Sequence, residues 1–108
     1  MALVIYKLGG SLFELDDWPA RLNRLWDSRP GGERKLLIVG GGCAADLVRE
    51  WDRRFSLGEH SSHELALESL RLTEHLAARL LRGCRQVASP EQALRLSRAP
   101  GIISVKAF

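Results

Sequence analysis

Two short apolar runs, each ending in a cluster of glycines, constrain this chain more than any other feature. Leu3–Leu8 stops at Gly9-Gly10, and residues 36–39 stop at Gly40-Gly41-Gly42. Apolar runs of this length read as strands buried on both faces, which requires helices on either side of a sheet. Between the runs, Asp16-Asp17-Trp18-Pro19 reads as a helix start, with an Asp able to cap and a proline tolerated in the first turn. Leu22, Leu25 and Trp26 then repeat at helical spacing until Pro30-Gly31-Gly32 stops the helix.

After the second glycine cluster a helix follows at once, with Ala44, Ala45, Leu47, Val48 and Trp51 forming its stripe. A third helix is predicted from the capping-box pair Ser61 and Glu64. Its apolar face is Leu65, Leu72, Leu76 and Leu80, and Gly83 takes the place of a C-cap glycine. Residues 85–87 read as a short strand, Ser89-Pro90 as the start of a short helix, and 102–105 as a last strand. The alternation predicts an α/β domain with a mainly parallel sheet in a three-layer αβα arrangement. With 108 residues the chain has room for a single domain, 1–108.

Composition narrows the function classes. The net charge is +3, with arginines scattered as singles and pairs, and only 6% of residues are aromatic. A nucleic-acid surface gathers its basic residues and interleaves aromatics, so nucleic acid is not the expected partner. No apolar stretch approaches a membrane span, and the N-terminus lacks the basic region of a signal peptide. Two cysteines, Cys43 and Cys84, are too few for a disulfide framework, which points to a cytoplasmic setting.

In parallel α/β sheets, ligands bind beyond the carboxyl ends of the strands. Both glycine clusters lie there, so both loops are expected on one edge of the sheet. Glycine lacks a Cβ, which lets backbone N–H groups close on a phosphate. The second loop also opens a helix, whose free N–H groups and dipole favour anions. Lys7, just before the first loop, is placed to offset charge on a transferred phosphoryl group. Each loop alone is also what a tight turn looks like, and Lys7 alone could be an edge-strand charge; the pairing carries the signal. The Walker and dinucleotide fingerprints are both absent.

The strings Val4-Ile5-Tyr6-Lys7-Leu8-Gly9-Gly10-Ser11 and Leu37-Ile38-Val39-Gly40-Gly41-Gly42-Cys43-Ala44-Ala45-Asp46 resemble the two phosphate loops of the amino acid kinase family, with Val39 where many members carry histidine. The resemblance runs across residues 3–82. It implies transfer of the ATP γ-phosphate, with Mg2+, to a small carboxylate or phosphate-monoester acceptor. It assigns Lys7 to transition-state stabilisation, Gly9, Gly10 and Ser11 to the nucleotide phosphates, and Gly41 and Gly42 to the acceptor and moving phosphoryl group. It also allows a homo-oligomer, with the long third helix as candidate face. Asp46 through Glu50, Asp52 through Leu57 and Ser62 through Ala66 are similar to a subgroup near the aminomethylfuran-methanol phosphate kinases of the methanofuran pathway, whose acceptor is a phosphate monoester.

Members of that family are longer, and their second half supplies the adenine pocket. The chain therefore reads as a fragment, a truncated product or a stand-alone acceptor half. The competing reading is a non-catalytic α/β module that binds an anion or docks onto a partner. Other candidates have plainer readings. His60, His63 and His75 lack a closing metal ligand, and His63 could instead line the acceptor pocket. Cys43 reads as a small loop residue and Cys84 as buried and inert. Arg49 has Asp46 and Glu50 as ready partners. Trp18, Trp26 and Trp51 are expected to pack onto the sheet.

Overall fold

The computed structural model describes residues 3–29, 33–81, 83–87, 89, 91–92 and 100–103. Its elements run β1 (Leu3–Leu8), a 3-10 turn (Gly10–Glu14), α1 (Trp18–Asp27), β2 (Arg34–Val39), α2 (Gly42–Phe55), α3 (Glu59–Leu80), β3 (Arg85–Val87) and β4 (Gly101–Ile103). The four strands form one sheet in the order β1-β2-β4-β3, and every pairing is parallel. The fold is α/β with an all-parallel sheet, consistent with the three-layer arrangement. Ser89 accepts a bond from the Gln92 N–H at 3.1 Å, as a helix cap would. The rest of the helix predicted after it, and the end of the strand predicted over 102–105, lie outside the described residues.

Two clusters make the core. On one face of the sheet, Tyr6 and Leu8 of β1, Leu37 and Val39 of β2 and Ile102 of β4 meet Trp18 and Trp26 of α1 and Ala77 of α3. On the other face, Leu36, Ile38, Val87 and Ile103 pack together. Leu37 and Ile103 are fully buried. Truncating either to alanine removes buried apolar surface and leaves a cavity, a cost of about 2–5 kcal/mol.

Four expectations are corrected. β1 is not buried on both faces: Ile5 is 52% exposed and Leu3 is exposed as well. β1 is an edge strand of the described sheet, and the helical residues of the core all belong to the opposite face. Asp17 precedes α1 without capping it; its carboxylate pairs with Arg21 at 2.8 Å instead.

α3 starts at Glu59, ahead of the capping-box pair, with Gly58 at φ 86 before it. Ser56 in the left-handed region and Gly58 together turn the chain so tightly that α3 begins almost as α2 ends. Glu64 sits inside the helix and meets His60 at 3.2 Å. The buried face of α3 is also not its leucine stripe. Leu72, Leu76 and Leu80 are exposed, whereas Ser69, Thr73, Glu74 and Ala77 are buried.

Small side chains let α3 lie close under the loops, and the two buried hydroxyls satisfy themselves locally. Ser69 donates to the Ala66 carbonyl at 2.6 Å and Thr73 to the Leu70 carbonyl at 3.0 Å. The α2 stripe divides similarly: Val48 is buried, but Leu47 and Trp51 are exposed.

A polar clamp ties α1 to the start of β2. Glu33 is buried, accepts a 2.7 Å bond from the Tyr6 hydroxyl, and accepts three further bonds from the Arg29 guanidinium at 2.9, 3.2 and 3.4 Å. Trp26 packs edge-on against Tyr6. The Arg29 and Tyr6 bonds hold the Glu33 carboxyl below its ordinary value of 4.5. The folded state thus prefers the carboxylate. Its stabilisation is complete above the ordinary value and is lost as pH falls through the depressed one. Thermal melts from pH 7 to pH 3 should therefore show a Tm that falls on acidification, with a shallower fall in Glu33→Gln than in the wild type.

Candidate functional site

The parallel register sets Leu8 of β1 beside Val39 of β2. Both strands therefore end level, and their glycine loops meet. The Gly40 N–H donates to the Leu8 carbonyl at 2.9 Å, carrying the ladder one step past β2. Beyond it the two backbones come into contact. A Cβ on Gly10 would lie 2.4 Å from the Gly42 nitrogen, and a Cβ on Gly42 would lie 3.1 Å from the Gly10 carbonyl oxygen. Neither clash could be relieved by a side-chain rotation, because the opposing atoms are backbone. Gly42 also has φ +57, a conformation that favours glycine, at the first residue of α2. Gly9 differs: its backbone is extended and a Cβ there would meet nothing within 4 Å.

A cleft of about 320 Å3 opens over this contact, lined by Gly10, Ser11 and Glu14 from the first loop and by Gly41, Gly42, Cys43, Ala45, Asp46 and Arg49 from the second loop and α2. Four expected residues thus line one cleft: Gly10, Ser11, Gly41 and Gly42. Lys7 and Gly9 are not among the lining residues. Lys7 is exposed at the carboxyl end of β1, beside Ile38, and has no ion-pair partner among the described residues. Arg49 donates to Asp46 at 2.5 Å, while Glu50 takes Arg53 as its partner. An adjoining cleft of about 530 Å3 shares Ala45 and Arg49 and continues to Asp52, Glu59, Ser62 and His63.

The cleft brings groups suited to an anion together with the carboxylates of Glu14 and Asp46. Its floor is glycine backbone, the N-terminus of a 14-residue helix opens into it, and Ser11 adds a hydroxyl. The absence of side chains at Gly10 and Gly42 lets the two loops touch, so that backbone from both lines the cleft. Glu14 and Asp46 on its walls suit a magnesium ion held mainly by phosphate, which takes only one or two protein carboxylates. Among the described residues there is no group of three or more His, Cys, Asp or Glu side chains able to hold a metal by themselves.

Cys43 is exposed at the start of α2, and Cys84 is a half-buried thiol that burial pushes up to about 11. Sequence reasoning missed Ser69. It sits beneath the second loop, with its Oγ 3.1 Å from where a Gly41 Cβ would be. The only sign of it was a small residue interrupting the leucines of α3.

Substitution at the first loop should separate a structural glycine from an unconstrained one. Gly9→Ala should leave the melting temperature and phosphate affinity close to wild type. Gly10→Ala must push the loops apart, at a cost of about 1–3 kcal/mol, with loss of anion binding. Circular dichroism melts and phosphate titrations of the two variants check this; equal behaviour would refute the interlocked geometry.

No protein-family model matches the chain. Among curated proteins it is similar to the uridylate kinase of the archaeon Aeropyrum pernix, at 37% identity over 84 residues. The alignment takes in 75% of this chain and 37% of that kinase, so the chain spans well under half the length of the relative it matches. Uridylate kinases are amino acid kinase family members, and the likeness supports that family, and phosphoryl transfer as its chemistry, at family level.

Proposed function

We propose that this chain supplies the phosphate and acceptor loops of an ATP-dependent phosphoryl transferase, acting on a small phosphate monoester or carboxylate. The interlocked glycine pair carries the reading, because contact between Gly10 and Gly42 merges two strand-end loops into one cradle. Gly10 and Ser11, with Gly9 just outside the cleft lining, hold the nucleotide phosphates through backbone N–H groups and one hydroxyl. Gly41 and Gly42, at the mouth of α2, face the acceptor and the transferring group. Lys7 has a flexible stem and no competing carboxylate among the described residues, and it offsets the charge that builds up during transfer. Magnesium, when bound, neutralises phosphate charge. Catalysis then rests on position and electrostatics rather than on a covalent intermediate.

The relative's name makes uridylate its substrate, and uridylate is a phosphate monoester. That favours a monoester acceptor over a carboxylate, as does the similarity of α2 and the start of α3 to the aminomethylfuran-methanol phosphate kinases. The acceptor's organic part has room in the adjoining cleft toward His63.

Isothermal titration with ATP–Mg2+ and with pyrophosphate tests the reading on the chain itself. Both should bind the wild type, and Lys7→Ala should weaken ATP more than about tenfold. Folded wild-type protein that releases no heat with either ligand would overturn the phosphate role. ADP release by the gene product that carries this chain, with monoesters and acidic amino acids as acceptors, identifies the reaction. Binding without turnover on any acceptor would favour the anion-binding module instead.

A further inference from the structure

The cradle and the adjoining cleft meet at two residues of α2. Ala45 and Arg49, one helical turn apart, line both. A phosphate monoester that presents its phosphate to the glycine loops and its organic part toward His63 must cross this junction. Arg49 is the charged side chain it meets there.

The surrounding charge gives that residue its leverage. Among the described lining residues, Glu14 and Asp46 are acidic in the cradle, and Asp52 and Glu59 in the adjoining cleft. Arg49 is the one arginine or lysine among them. Its guanidinium donates to Asp46 at 2.5 Å, while Glu50, next to it in sequence, pairs with Arg53. The Arg49 side chain is 75% exposed and that of Asp46 71%. A pair so open to water is screened and contributes little, so a ligand can draw Arg49 away at small cost. A phosphate dianion carries twice the charge of Asp46 and accepts the planar guanidinium in a two-bond fork. A carboxylate brings no more charge than the one it must displace.

We propose that Arg49 is the specificity-determining residue for the acceptor's phosphate, and that Asp46 is its internal competitor, holding the guanidinium until a dianion takes it. The inference rests on the phosphoryl-transfer reading and names a dianionic phosphate monoester as the acceptor. Coulomb attraction scales with ligand charge, so a dianion gains about twice the free energy from Arg49 that a monoanion of the same shape does.

Amide-resolved NMR titrations of the chain test it at constant ionic strength and pH 8, where a phosphate monoester has lost its second proton. Methyl phosphate is the dianion and methyl sulfate a monoanion of the same shape. Circular dichroism checks that each variant is folded. Arg49→Gln should weaken methyl phosphate about tenfold and methyl sulfate only about threefold. Asp46→Asn should tighten methyl phosphate about threefold, because it frees the guanidinium and removes a repelling charge. In the Arg49→Gln background the same substitution should give a smaller gain, since only the repulsion is left to remove. Equal losses for the two probes in Arg49→Gln would overturn the proposal, as would an Asp46→Asn gain that is the same with and without Arg49. A folded wild type that binds pyrophosphate but not methyl phosphate would overturn it too, leaving the glycine loops as a phosphate site. A folded wild type that binds neither would overturn the phosphate reading along with it.

Discussion

The rest of this structure depends on the contact between the Gly10 and Gly42 backbones. It requires two strands that end level, two residues without side chains at the same point, and a helix that starts in a left-handed conformation. The parallel register supplies the first. The glycines supply the other two, and Gly42 serves both. Once the loops touch, residues of both loops and the first turn of α2 line one cleft.

The same closeness explains the unusual α3. A helix that must pass beneath a glycine loop cannot present leucines to it. Ser69, Thr73 and Ala77 occupy the inner face, and the two hydroxyls stay satisfied by donating to carbonyls of their own helix. The leucines are left pointing outwards, along the surface that α2 continues. The constraint that brings the two loops together thus also leaves α3 with an exposed apolar face.

Much of this was legible in the residues. The limits of β1 and β3, the direct passage from the triple glycine into α2, and the meeting of both loops at one sheet edge follow from glycine placement and run length. The face of α3 did not follow, because leucine periodicity finds a stripe but not the direction it points. The approach of Gly41 to Ser69, with Ala77 packed in the core, decides that. The exposure of Ile5 was hidden for a related reason: an apolar run does not reveal whether its strand sits at the sheet edge. The buried Glu33 clamp depends on Tyr6, which is 27 residues away in sequence, and no local pattern marks it. Nor could spacing show that Gly9 is unconstrained while its neighbour is fixed.

The most direct test of the cradle is an amide-resolved NMR titration of the chain with inorganic pyrophosphate. Saturable shifts concentrated at the N–H groups of Gly10, Ser11, Gly41 and Gly42, and absent in Gly10→Ala, are the expected result. Shifts spread over the surface arginines, with the two loops unmoved, would contradict it.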